Sequence, residues 1–210
     1  MKRLAVVAAL AAFFAGGAHA ASITTDFETG ADGWSGVGFT TTVETDGGPG
    51  GAGDAFLAAT DSSSTFGGIR NQTTFAGNLL AFDGGSFSFD YREIFFGGGS
   101  QAQQFGRVTV SSGGASVNAD FVSGFAGSSW MTASGDFSAA TFSTSQTNWE
   151  NILSNVTSIR ITVESRSNSP TEIVGIDNIA LMAAVPLPAG GLLLIGALGG
   201  LAAMRRRRGH

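Results

Sequence analysis

The chain contains no cysteine, and its single lysine and two histidines sit near its ends, at Lys2, His19 and His210. Without cysteine there is no disulfide framework and no thiolate metal site. Between residues 21 and 184 histidine and lysine are missing as well. Ser-His-Asp and Cys-His nucleophiles, histidine metal centres and Schiff-base chemistry are therefore excluded from that stretch. Only carboxylates remain there as acid or base.

A carboxylate pair can hydrolyse a glycosidic bond when its two groups flank the sugar at about 5–10 Å. Glu93, Asp120, Asp136, Glu150 and Glu164 are the candidates. Sequence spacing brings no two of them together, and solvated charges on strand faces are their plainer reading. A carboxylate glycoside hydrolase is thus the alternative, and a noncatalytic module the expectation.

Both ends of the chain read as addresses. Lys2 and Arg3 form a basic start, residues 4–15 an apolar run, and Ala18-His19-Ala20 a small-x-small cleavage site, the pattern of a secretory signal peptide over 1–20. At the other end Val185-Pro186-Leu187-Pro188-Ala189-Gly190 precedes an apolar run to Met204 and then Arg205, Arg206, Arg207 and Arg208. As a helix the apolar part would be about 24 Å long, slightly short of a hydrocarbon core of about 30 Å. The arginines would stop transfer and stay on the cytoplasmic side, which places the residues before Val185 across the membrane.

Short motif, apolar helix and arginine cluster, in that order over 183–210, closely resemble the bacterial PEP-CTERM sorting signals, with Val185 to Ala189 as the VPLPA variant. The resemblance covers the tail alone. It implies an exosortase-type membrane protease as partner, an inner-membrane intermediate held by the C-terminal helix, and final delivery to the cell surface or extracellular space.

Removing both ends changes the charge that matters. Five arginines then face 16 carboxylates, a net charge of −11. So acidic a domain does not hold a phosphate backbone by counterion release, which excludes nucleic acid as partner and leaves cations or basic surfaces.

The remaining stretch suits one domain with one core. Abundant Gly, Ser and Thr with scattered Phe predict short strands and many turns. Strands are expected over 23–27, 39–44, 55–60, 86–93, 107–111, 116–121, 130–137, 158–164 and 173–181. Phe87, Phe89 and Tyr91 alternate with Ser88, Asp90 and Arg92, and Ile159, Ile161 and Val163 with Arg160, Thr162 and Glu164. That period of two marks half-buried antiparallel strands. Ile176 and Ile179 are expected to join the buried set. The glycine-rich run 46–54 is expected to be a mobile loop. Thr147-Asn148-Trp149-Glu150 reads as a capping box opening one short helix, with Trp149, Ile152, Leu153 and Val156 on one face.

Phe75-Ala76-Gly77-Asn78-Leu79-Leu80 with Ser86-Phe87-Ser88-Phe89-Asp90-Tyr91, then Leu153-Ser154-Asn155-Val156-Thr157-Ser158-Ile159-Arg160-Ile161, then Gly175-Ile176-Asp177-Asn178-Ile179-Ala180-Leu181 resemble the laminin B (laminin IV type A) domain. The resemblance spans residues 27–181. It implies an all-β fold, an antiparallel jelly-roll β-sandwich related to galactose-binding-like modules, occupying about 21–182 with one short helix. It also implies an extracellular-matrix setting without a catalytic site.

No motif demands a cofactor. In jelly-roll modules the first and last strands can meet, and a hard cation between them recruits carboxylate and backbone oxygens. Glu28 and Asp177 are the candidate ligands for a structural Ca²⁺. Trp34, Trp130 and Trp149 could stack on a sugar ring or fill the core. The expected function is that of an exported surface or matrix protein associated with extracellular polysaccharide, of a glycan the sequence does not name.

Overall fold

The structure, a computed structural model, describes residues 20–61, 67–101, 104–124, 126–167 and 171–185. Residues 1–19, with Ala18 of the expected cleavage site, and residues 186–210, with Pro186 to Gly190 of the sorting motif, the apolar run and Arg205 to Arg208, lie outside the described residues. Among the described residues no helix is long and apolar enough to cross a membrane. Ala21–Ala184 form one compact unit.

Two antiparallel sheets make an all-β sandwich. The first contains β1 (Ser22–Thr25), β3 (Phe39–Glu44), β4 (Phe56–Asp61), β6 (Gly85–Phe96), β10 (Met131–Phe137) and β13 (Glu172–Met182). Its order is β10-β6-β13-β4-β3, with β1 also paired to β13. The second contains β2 (Trp34–Val37), β5 (Gly68–Asn71), β8 (Arg107–Ser112), β9 (Ala115–Asp120) and β11 (Ser158–Thr162), in the order β2-β5-β11-β8-β9. A short ribbon pairs β7 (Ser100–Gln101) with β12 (Arg166–Ser167).

The period of two decides which side chains meet between the sheets. Phe87, Phe89, Tyr91, Ile159, Ile161 and Val163 are all buried. Phe87 is central to an aromatic cluster, with ring centroids of Phe121 at 5.8 Å and of Phe75 and Phe137 at 6.3 Å. Burying each such side chain is worth about 1.5–3 kcal/mol.

The last strand breaks the period. Ile176 and Ile179 are both buried although three residues apart, because the register against β6 shifts between Asp177 and Ala180. That bulge puts one extra residue into the strand. Asn178 absorbs it at φ 48°, a left-handed conformation that asparagine tolerates better than most residues. The first and last strands do meet: Thr25 pairs with Ile179, and Ala183 N–H donates to Ala21 O at 2.8 Å.

Four sequence expectations change. The run 46–54 is not a slack loop: Gly48 N–H donates to Asp54 O at 2.9 Å, Gly50 N–H to Asp54 Oδ2 at 2.6 Å, and Gly53 N–H to Asp46 Oδ1 at 2.7 Å. Two aspartates satisfy the backbone donors that glycine leaves exposed. The helix α1 (Gln146–Leu153) is capped two residues before the expected cap Thr147, by Ser145, whose Oγ accepts from Asn148 N–H at 3.2 Å. An N-cap serine reaches the third helical residue, which makes Thr147 helical and not a cap. Its apolar face is as expected, with Trp149 stacked on Phe142 at 4.8 Å and its Nε1–H donating to Asp83 Oδ1 at 2.8 Å. Thr162 and Glu164, expected on an open face, are buried. Finally, β2 and β5 were not expected, because Trp34–Val37 and Gly68–Asn71 each run for only four residues and carry glycine.

Candidate functional site

Three polar groupings stand outside the core, and each combines residues distant in sequence. The first lies near the β13 bulge. Asp177 is buried, and its carboxyl is pushed up to about 7, first by that burial and then by the charges of Asp54, Asp90 and Asp26. Its Oδ1 accepts from Asn178 N–H at 2.7 Å, while Asn178 Nδ2 donates to Asp90 Oδ2 at 2.9 Å. Glu28 is exposed, and its Oε1 accepts from Ala55 N–H at 2.9 Å, just before β4 begins. Ile176 pairs with Leu57 of β4, so Glu28 is tied to the residue that leads into the strand beside β13. A buried carboxyl facing like charges has the chemistry of a hard-cation ligand. Among the described residues, however, no group of three or more acidic side chains is gathered closely enough to hold a metal, so backbone oxygens would have to complete a shell.

The second grouping holds two of the acids considered for catalysis, Glu93 and Glu164, with Glu172. Glu93 is buried and gripped by Arg166, with Nε and Nη2 each 2.9 Å from a carboxylate oxygen. That guanidinium holds the Glu93 carboxyl below its ordinary range. Glu172 is fully buried, and burial raises its pKa although it accepts from Ser165 N–H at 2.9 Å and Arg166 N–H at 2.7 Å. Glu164 accepts from Gly67 N–H at 3.2 Å, and burial with the charges of Glu172 and Asp61 pushes it up to about 7. These carboxyls are enclosed and committed to β6, β13 and the segment after β11. They do not face each other across open space.

The other catalytic candidates are scattered. Asp120 Oδ1 is bound by Arg107 Nε at 2.6 Å, Asp136 is exposed on β10, and Glu150 is exposed on α1, accepting from Gln146 Nε2 at 2.9 Å. The tryptophans are placed as follows. Trp34 and Trp149 are core residues. Trp130 packs edge-on against Phe56 at 5.5 Å, carries the Arg92 guanidinium 4.9 Å from its centroid, and donates to Gly47 O at 3.0 Å. Stacking on a sugar is thereby excluded for Trp34 and Trp149.

The third grouping, the outer face of the second sheet, was not singled out in the sequence. Register places Ser35 opposite Arg70, Arg70 opposite Arg160, Arg160 opposite Thr109, and Thr109 opposite Asn118. One polar row therefore crosses all five strands, about 19 Å at the usual strand spacing. Arg70 and Arg160 are half-buried, whereas Ser35 and Asn118 are exposed. Alternation in 158–164 already pointed Arg160 outward; nothing in the short β5 segment announced Arg70.

Solved structures similar to this chain share its fold. An exo-β-agarase aligns at a TM-score of 0.53 and 17% identity over 74% of this chain and 23% of its own. The tandem of two family 22 carbohydrate-binding modules from Paenibacillus barcinonensis Xyn10C aligns at 0.51 and 14% identity over 82% of this chain and 48% of that one. This chain thus spans less than half the length of either. The L4b domain of human laminin alpha-2 aligns at 0.44 and 10% identity over 60% of this chain and 80% of its own, too distant to carry an argument. No family model matches the sequence, and neither does any curated protein.

Proposed function

We propose that this chain is a noncatalytic exported module that binds extracellular polysaccharide, with the outer face of its second sheet as the binding surface. The observation that carries the reading is the polar row Ser35, Arg70, Arg160, Thr109, Asn118, which presents hydroxyl, amide and guanidinium groups across five strands. Such groups are suited to the hydroxyl-rich edge of a glycan. A sandwich shared with modules of glycan-binding proteins is consistent with the reading. The burial of Glu93, Glu164 and Glu172, with Asp120, Asp136 and Glu150 on separate elements, favours binding over hydrolysis.

The sorting reading rests on the sequence of residues 183–210: release near Val185-Pro186-Leu187-Pro188-Ala189 by an exosortase-type protease, passing through an inner-membrane intermediate. Glu28 and Asp177 are the proposed side-chain ligands of a structural Ca²⁺, supported by the burial of Asp177 among like charges.

The test is affinity electrophoresis of the Ala21–Ala184 unit, whose core is complete within itself, through gels containing charged and neutral polysaccharides. Retardation without release of reducing ends is expected. Turnover abolished by one Glu→Gln or Asp→Asn change would establish the hydrolase instead.

A further inference from the structure

Arg70 and Arg160 are cross-strand partners in the interior of the second sheet, on β5 and β11. Side chains directly opposite each other on antiparallel strands lie about 4.5–5.5 Å apart at Cβ, and like charges there repel. Arg160 registers that repulsion: burial lowers its pKa, and the charge of Arg70 lowers it further. The Nε of Arg70 is buried and has no hydrogen-bond partner.

On the same face another arginine is paired with an acid. Arg107 faces Asp120 across β8 and β9, with Nε to Oδ1 at 2.6 Å and Nη2 to Oδ2 at 3.0 Å. The row through Arg70 and Arg160 contains no acid, since its other members are Ser35, Thr109 and Asn118. In a unit of 16 carboxylates and five arginines, three of the five point from this one face.

We propose that the Arg70–Arg160 pair is an anion subsite of the glycan-binding face, so that the ligand is an acidic polysaccharide carrying carboxylate or sulfate groups. Each guanidinium presents a planar fork matched to a two-oxygen anion. One anionic group between the two forks cancels their repulsion. Thr109 and Asn118, in register on the next two strands, continue the row for sugar hydroxyls. Nucleic acid offers anions too, but the hydroxyl and amide of Thr109 and Asn118 beside the two forks suit a hydroxyl-bearing sugar chain, and single-stranded DNA serves as the control. This assignment rests on the glycan-binding reading and names its ligand class.

The experiment titrates the Ala21–Ala184 unit by calorimetry with polygalacturonate, dextran sulfate, neutral dextran, neutral mixed-linkage β-glucan and single-stranded DNA. Binding to an anionic polysaccharide is expected, and a preference between the first two distinguishes carboxylate from sulfate ester. Raising salt from about 0.05 to about 0.3 M should weaken it, because screening shortens the reach of the pair. Arg70→Gln and Arg160→Gln together should lower affinity at least tenfold while leaving the melting temperature unchanged or higher, since a repulsion is removed. Binding only to neutral glycans would overturn the anion subsite and leave the glycan reading standing; binding to no polysaccharide would overturn both. Undiminished affinity in the folded double variant would put the anion site elsewhere. DNA binding lost in that variant, without polysaccharide binding, would assign the pair to a different ligand.

Discussion

Arg166 and Glu93, 73 residues apart in the chain, meet through two parallel hydrogen bonds of 2.9 Å each, Nε to Oε1 and Nη2 to Oε2. The guanidinium also lies 4.5 Å from the Phe96 ring centroid, so one residue ties β12 to β6 by charge and by its flat face. Arg166→Ala leaves Glu93 buried without its cation. Removing one member of such a pair costs about 3 kcal/mol, and urea unfolding should show that loss. A change below about 0.5 kcal/mol would mean the pair is solvated like an ordinary surface bridge.

The raised carboxyls make stability depend on pH. Asp177 and Glu164 titrate at about 7 in the folded chain, whereas unfolded carboxylates titrate near 4. Between about pH 4 and about pH 7 the folded state holds protons that the unfolded state has released, so stability falls as pH rises through that window. Glu93, held low by Arg166, acts oppositely below about pH 4. Thermal scans in chelator should therefore peak near about pH 4, and Asp177→Asn should flatten the descent above it. A wild-type midpoint that is level or climbing from pH about 5 to about 8 would contradict this.

Calcium should oppose that descent, because a cation at Asp177 needs its ionised form. A ligand that binds only the folded state stabilises by about 2.7 kcal/mol at 100 times its dissociation constant, which a thermal scan detects. The midpoint should rise in millimolar Ca²⁺, and Glu28→Gln or Asp177→Asn should abolish the rise. Identical midpoints in Ca²⁺ and in chelator would remove the proposed ion.

Burial separates neighbouring substitutions on one strand. Phe89 and Ile161 are fully buried, and replacement by serine should cost at least about 3 kcal/mol and collapse the circular-dichroism melting transition. Ser88, half-buried on the outer face of β6, should accept alanine within about 0.5 kcal/mol. Thr162 should behave like the core and lose measurable stability as lysine, because it is only 4% exposed. A tolerant Phe89→Ser would mean that the inner face of β6 has been assigned backwards.

Processing makes a separate claim. Intact-mass analysis of surface-extracted protein should find Ala21 first and no Arg205 to Arg208. Mature protein that keeps the arginines would be held by an ordinary membrane anchor.

Much of this protein was legible as sequence. Alternation in 86–93 determined that Phe87, Phe89 and Tyr91 enter the core, since successive strand residues point to opposite faces. In 158–164 it placed Ile159, Ile161 and Val163 inside but missed the burial of Thr162 and Glu164. The lack of histidine, lysine and cysteine between residues 21 and 184 excluded most nucleophilic and metal chemistry there, because composition limits chemistry whatever the fold. What sequence could not decide was register. Ile176 and Ile179 share the core only because a bulge against β6 shifts the pairing, and a bulge has no period of its own. Asp177 titrates abnormally because burial and three acids from other parts of the chain act on it together. Arg70 faces Arg160 because β5 and β11, 90 residues apart by those two positions, align as neighbours. Pairing of distant strands is settled by the closing of the whole sandwich, and so the core was written locally while the candidate binding face was decided by tertiary structure alone.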